Sequence, residues 1–249
     1  MPGTEDRDRK PPPPEAWAHA PTLIAQASTP EPGLISDGGG LPFSPDRPFE
    51  PFAPLDPREP PVAALLVQVD RGRRQAQPTR LLRPKPKPPP IETGEKLTGW
   101  RVLARAEDEV LYGRGRPPQL LTVAVRRSRL GRWVPLGASN SRPLRAIRDG
   151  VRASSWRLDP TFALSPELTA LHILVTEQTM ASGTPVEDRL LAPDLHLGDE
   201  RVVLRVYVKP LEGYIGRTSR HETPVIVALP EPLGRRLVVD GALYQPPLG

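Results

Sequence analysis

The sequence predicts an all-β fold: an antiparallel sandwich or barrel-like domain over residues 97–249, preceded by a long disordered Pro/Arg-rich region over residues 1–96. Three observations lead there. From Gly99 onward, short apolar runs recur at regular spacing between turn residues, as they do in sandwiches and barrels. Of the 36 prolines in 249 residues, 22 fall within residues 1–90, and proline removes a backbone donor and interrupts helices and central strands. Cysteine is absent, so the domain must close on its apolar core alone, which roughly 150 residues suffice to do.

In chain order, the proline tracts at 11–14 and 84–90 and the dense prolines of 30–61 leave neither a 3.6-residue period nor a clean alternation. Too little apolar surface remains to offset the ordering entropy, so residues 1–96 read as disordered or polyproline-like. One island, PVAALLVQV at 61–69, reads as a short strand or one to two helical turns. Beyond it, runs at 100–104 and 109–112 form a first strand pair. In 120–125, Leu121, Val123 and Val125 share a face, and a turn containing Gly131 leads into 133–136 as a hairpin. Strands at 154–158, 170–177 and 201–208 follow, the last with Val202, Leu204, Val206 and Val208 on one face. Segments 225–229 and 236–239 complete the set, and only 165–171 carries a weak helical signature.

The formal charge of +5 and pI near 9.9 invite a nucleic-acid reading. However, Pro, Ala, Arg and Gly, all abundant here, share GC-rich codons, so mutational bias accounts for much of the skew. The charge also divides: residues 99–164 hold 13 basic and 5 acidic side chains, residues 165–249 hold 8 and 11. A basic run, Arg71, Arg73, Arg74, Arg80, Arg83, Lys85 and Lys87, is opposed only by Asp70. It reads either as a solvated linker or as an arm for nucleic acid or an anionic surface. The N-terminus lacks an apolar targeting core, and the longest apolar run, 62–69, is far below the ~20 residues of a spanning helix. As written the chain is expected in the cytoplasm, or exported if its start codon is mis-assigned.

No cysteine means no disulfide, thiolate zinc site, iron–sulfur cluster or cysteine nucleophile. The four histidines are His19 in the proline-rich region, His172 on a strand, and His196 and His221 in loops beside carboxylates, without metal-ligand spacing. Ser182 in MASGTP lacks the glycine at both flanks of a nucleophile elbow. The pairs Glu187–Asp188 and Asp199–Glu200 are adjacent in sequence and point apart on an extended chain. Gly38–Gly40 and the GRGRPP turn at 113–118 lack the residues of a phosphate loop. Arg126, Arg127, Arg129 and Arg132, with the arginines of GRGRPP, are candidates for hairpin tips on one side of the fold. Trp100, Trp133 and Trp156 are then either stacking platforms or core anchors, and their alternation favours core. No catalytic residue, metal ligand or cofactor is assigned. The reading is a non-enzymatic binding or structural module on a flexible arm, with another protein as its expected partner. The alternative is nucleic-acid or anionic-surface binding, and a hydrolase on His172 or His221 is the third.

LHILVTEQTMASG (171–183), VYVKPLEG (206–213), ETPVIVALPEPLGRR (222–236), VDGALYQPP (239–247) and WRLDP (156–160) together resemble a β-rich domain of uncharacterised proteins from high-GC Gram-positive, actinobacterial species. Members of that family are usually predicted to be exported or lipid-anchored. The resemblance implies a cysteine pair at the positions of Met180 and about Arg217, both absent here. Joint loss of such a pair suits a reducing compartment. The resemblance supplies no catalytic residue.

Overall fold

A computed structural model of the chain describes residues 14–75, 93–140, 143–176, 186–211 and 222–245. In chain order the elements are α1 (Pro14–Ala18), β1 (Thr22–Ile24), β2 (Gln26–Ala27), β3 (Ile35–Ser36), α2 (Pro60–Gln75) and α3 (Thr93–Leu97). Strands follow as β4 (Trp100–Arg105), β5 (Glu109–Arg114), β6 (Leu121–Arg127), β7 (Trp133–Asn140), β8 (Arg145–Arg148) and β9 (Val151–Leu158). The last are β10 (Ala170–Thr176), β11 (Asp194–Leu197), β12 (Arg201–Tyr207), β13 (Glu222–Ala228) and β14 (Leu237–Asp240). Strand outweighs helix, 41% against 13%, so the fold is mostly β as the spacing predicts. It is built as two compact units rather than one domain: Met1–Pro32 with Arg145–Leu243, and Gly33–Leu144 with Tyr244–Gly249.

The first unit is a nearly closed, barrel-like sheet in the order β1-β13-β10-β9-β12-β11-β2, with β14 on β12 and β8 on β9. Its interior follows the two-residue period of strands. Leu171, Ile173 and Val175 of β10, Val202, Leu204 and Val206 of β12, and Val225 and Val227 of β13 are all fully buried in one cluster. Trp156 joins them and donates its Nε1–H to the Leu204 carbonyl at 3.1 Å.

The expected disorder of residues 14–75 is corrected by the way this sheet ends. β1 runs parallel to β13 and β2 parallel to β11, so residues 22–27 cover both terminal edges of the strand order. Their amides and carbonyls pair with the edges: Ile226 N donates to Pro21 O, Gln26 N to Pro193 O and Ser28 N to Leu195 O, at 2.8–2.9 Å. Uncovered edges would invite pairing with other chains. Upstream, Trp17 donates its Nε1–H to Asp159 Oδ2 at 3.0 Å and packs edge-on against Phe162 and His172.

Arg205 fastens the same segment from beneath. It lies on the face of β12 opposite the core cluster and is only 2% exposed. Its guanidinium donates to the carbonyls of Gly241 (3.2 Å), Thr29 (3.0 Å) and Pro30. Burial lowers its pKa, and Tyr207, Asp194 and Glu31 pull the other way. Gly241 is required beside it, because a Cβ there would sit 2.5 Å from Val203 and 2.9 Å from the Arg205 side chain.

The second unit is the antiparallel meander β4-β5-β6-β7. α2 covers one face: Val62, Leu65, Leu66 and Val69 recur at helical spacing and pack with Trp100, Tyr112, Val123 and Val125. The run read as strand or helix is therefore a 16-residue helix, opened by Pro60 and Pro61 where the missing N–H costs nothing. The other face is covered by Ile35, Leu41 and Phe43 against Leu103, Leu111 and Ala124. Gly40 makes that approach possible, since a Cβ would meet Leu111 at 2.8 Å and Ala124 at 3.0 Å. Asp37 closes the glycine turn by accepting from Gly39 N and from the Thr122 hydroxyl.

Prolines in 14–75 thus shape turns and extended segments of a packed chain, while residues 1–13 and 76–92 lie outside the described residues. Five strands, β1, β2, β3, β8 and β11, go beyond the sequence expectation, and 165–171 is not helical: one turn, Leu168 N to Ser165 O, precedes β10.

Candidate functional site

In the second unit, residues 44–59 run along the edge strand β4 and leave a cleft of about 280 Å³ lined by Arg47, Glu50, Phe52, Glu59, Arg101 and Arg105, among others. The two β4 arginines line it from opposite faces of the edge strand, Arg101 opposing Gly113. A bulge between Val102 and Ala104 shifts the β4–β5 register, so Arg105 opposes Val110 and joins the face of Val102 and Tyr112. Without that extra residue, alternation would turn Arg105 to the opposite face.

Two of the three arginines are neutralised in place. Arg47 pairs with Glu50, and Arg105 pairs with Glu59 at 2.9 Å just ahead of α2. Arg101 has no carboxylate partner among the described residues. Its Nη1 donates to Pro48 O at 2.6 Å and Glu50 O at 3.3 Å, and its guanidinium lies 4.7 Å from the centre of the Phe52 ring. Its Nε is buried without a hydrogen-bond partner. Behind the cleft, the Tyr112 hydroxyl is likewise buried and unpartnered. Burial pushes its pKa up to about 12 against the pull of Arg105.

The first unit holds a different polar cluster, internal to the fold. Asp194 receives Arg148 and the Tyr207 hydroxyl, the latter at 2.8 Å, and Arg148 stacks 4.5 Å over the Tyr207 ring. Burial and Asp194 raise the Tyr207 pKa. Burial also raises the Asp240 carboxyl to about 6, although it accepts from Ala242 N at 2.8 Å and lies near Arg145. Arg157 and Glu222 form a two-point ion pair at 2.9 and 2.7 Å between β9 and β13.

The residues singled out in the sequence fall in scattered places. Arg71 is exposed near the end of α2, and Arg73 and Arg74 belong to that helix. Arg80, Arg83, Lys85 and Lys87 lie outside the described residues, as do His221, Ser182, Met180 and Arg217. The arginine tips are not on one side: the β5–β6 turn carrying Arg116 and the β6–β7 turn carrying Arg129 lie at opposite ends of the meander, because successive antiparallel turns must. Trp100 and Trp156 belong to core clusters, and Trp133 is partly buried against the cluster of Trp100.

His172 stacks on Phe162 with ring centres 3.9 Å apart, and burial lowers its pKa while Asp159 draws it up. His196 lies in β11, not a loop, with Nδ1 3.2 Å from Ser28 O. His19 is exposed, and no group of three metal-ligating side chains occurs among the described residues. No helix among them is long and apolar enough to cross a membrane.

Arg101 and Phe52 escape a sequence reading because the carbonyls that hold Arg101, and the Phe52 ring beneath its guanidinium, lie some fifty residues away from it. One signal was present: three of the four phenylalanines, Phe43, Phe49 and Phe52, sit in the proline-rich stretch, where a solvated tail would not concentrate them. Compared with protein-family models, curated proteins and solved structures, the chain matches none.

Proposed function

We propose that this chain is a non-enzymatic binding module whose second unit takes a carboxylate-bearing ligand in the Arg101 cleft. The observation that carries this reading is Arg101 itself, a cleft-lining guanidinium without a carboxylate partner among the described residues, its Nε buried and unpartnered. A guanidinium stays charged at any physiological pH, which suits recognition rather than proton transfer; with Nη1 on the Pro48 and Glu50 carbonyls and Nε buried, Nη2 is the donor left for a carboxylate. Phe52, Leu55 and Val102 supply an apolar floor for the body of the ligand. Arg47 and Arg105 add charge that their glutamates only balance, leaving the lining net positive.

Citrate and triglutamate are the probes, titrated against the full chain with the thermal midpoint as readout. Saturable stabilisation of about 1.4 kcal/mol at tenfold Kd is expected, abolished in Arg101→Gln and kept in Arg129→Gln. Because Arg101 also pins residues 48–50, Arg47→Gln serves as the second variant, with weaker binding and an intact loop. No saturable shift, or an equal shift in Arg101→Gln, rules the reading out.

A further inference from the structure

We propose that the β6–β7 hairpin docks the chain onto an anionic lipid bilayer, with Leu130 entering the headgroup region and Arg127, Arg129 and Arg132 meeting lipid phosphates. The hairpin belongs to the opposite edge of the meander from the Arg101 cleft, since β7 and β4 are its two outer strands. The inference is therefore independent of the carboxylate reading.

The tip is a built turn. Ser128 N donates to Arg132 O at 2.7 Å, Gly131 N to Ser128 O at 2.8 Å and Arg132 N to the Ser128 hydroxyl at 3.2 Å. Gly131 takes the positive φ of 75° that closes it. At its apex Leu130 is 84% exposed, the highest value of any large apolar side chain among the described residues. On the flank, Val134 and Leu136 are exposed as well, on an edge strand where Pro135 limits pairing with another strand.

Charge surrounds this apolar tip. Residues 126–132 hold four arginines and no acid. Arg126 is spent on Glu109, its Nε donating at 2.8 Å. Arg127, Arg129 and Arg132 are exposed and take part in none of the ion pairs among the described residues; the Arg127 Nε touches only the Gly131 carbonyl, at 3.4 Å. The acidic β4–β5 turn, with Glu107 and Asp108, ends beside Arg127, where Asp108 O accepts from Arg127 N at 2.7 Å. Residues 128–132 extend past it.

An aliphatic apex ringed by guanidinium groups fits a bilayer better than a nucleic acid. Leucine has no ring on which a base can stack, and the neighbouring Trp133 is partly buried and packs against the α2 cluster. Apolar penetration and attraction to anionic headgroups are the two contributions that hold interfacial elements to membranes.

The absence of cysteine makes the test direct, because Leu130→Cys carries an environment-sensitive fluorophore at a single place. The labelled full chain is mixed with phosphatidylcholine vesicles containing or lacking about 30% phosphatidylglycerol, at about 0.1 M salt. A blue-shifted, brighter emission on the anionic vesicles alone is expected. In co-sedimentation, Leu130→Ser should weaken partitioning about tenfold, and each of Arg129→Gln and Arg132→Gln about fivefold.

Circular dichroism of each variant confirms that the turn substitutions leave the fold intact. Absence of binding to anionic vesicles overturns the proposal. So does binding with the fluorophore still in water, which would place the contact elsewhere. Retention on single-stranded RNA that the arginine variants lose and Leu130→Ser keeps would assign the surface to nucleic acid instead.

Discussion

Arg205→Ala is expected to destabilise the barrel-like unit by about 3–5 kcal/mol, the scale of leaving several buried carbonyls without their donor. The arginine is 2% exposed and serves the carbonyls of Gly241, Thr29 and Pro30 at once. Truncation leaves those acceptors beneath the segment without donors, and each unsatisfied buried group costs about 1–3 kcal/mol. Arg205→Lys should recover part of the loss, because an ammonium keeps the charge but lacks the planar fork that reaches separated carbonyls. Urea unfolding provides the check: a lower midpoint at unchanged slope for both variants, with lysine between alanine and wild type. Equal stability of Arg205→Ala and wild type would mean that residues 28–30 do not rest on β12.

Leu65→Ala carries the second large effect, about 2–5 kcal/mol on the second unit. Leu65 is fully buried in the α2 stripe against the meander, with Val62 one turn earlier and Trp100 and Tyr112 in the same cluster. Removing three heavy atoms there forfeits transfer energy and opens a cavity that Val62 and Trp100 cannot fill without moving. A substitution in a solvated linker would instead stay within about 0.5 kcal/mol. The urea midpoint of Leu65→Ala separates these outcomes.

What the sequence shows of this fold depends on the length of each periodic signal. β12 is legible because Val202, Leu204, Val206 and Val208 alternate over seven residues, and all four reach the core. β6 reads equally well through Leu121, Val123 and Val125. The run at 61–69 is ambiguous in type, as short apolar runs are, until its length of 16 residues is known.

β1 and β2 are invisible, being three and two residues long and held mainly through backbone groups to strands some 170 to 200 residues away. A carbonyl accepts from Arg205 whatever its side chain, so Thr29 and Pro30 give no compositional hint. The bulge that turns Arg105 into the cleft also has no sequence signature, since no glycine or proline marks Val102–Ala104. The hairpin tip, by contrast, lies within one continuous stretch, and its arginines and Gly131 are apparent at once. Only the exposure of Leu130 and the separation of the two arginine turns needed the structure.

The central claim is that residues 14–75 of the proline-rich N-terminal region are integral to both units, closing one sheet and covering the other. Amide hydrogen exchange at Gln26, Ser28, Ile35 and Phe43 tests it most directly, because each of these N–H groups donates to a backbone carbonyl at 2.8–3.0 Å. Exchange at least about a thousandfold slower than in an unstructured chain is the expected result. Exchange at the unstructured rate at all four, with protection confined to residues after 97, would contradict it.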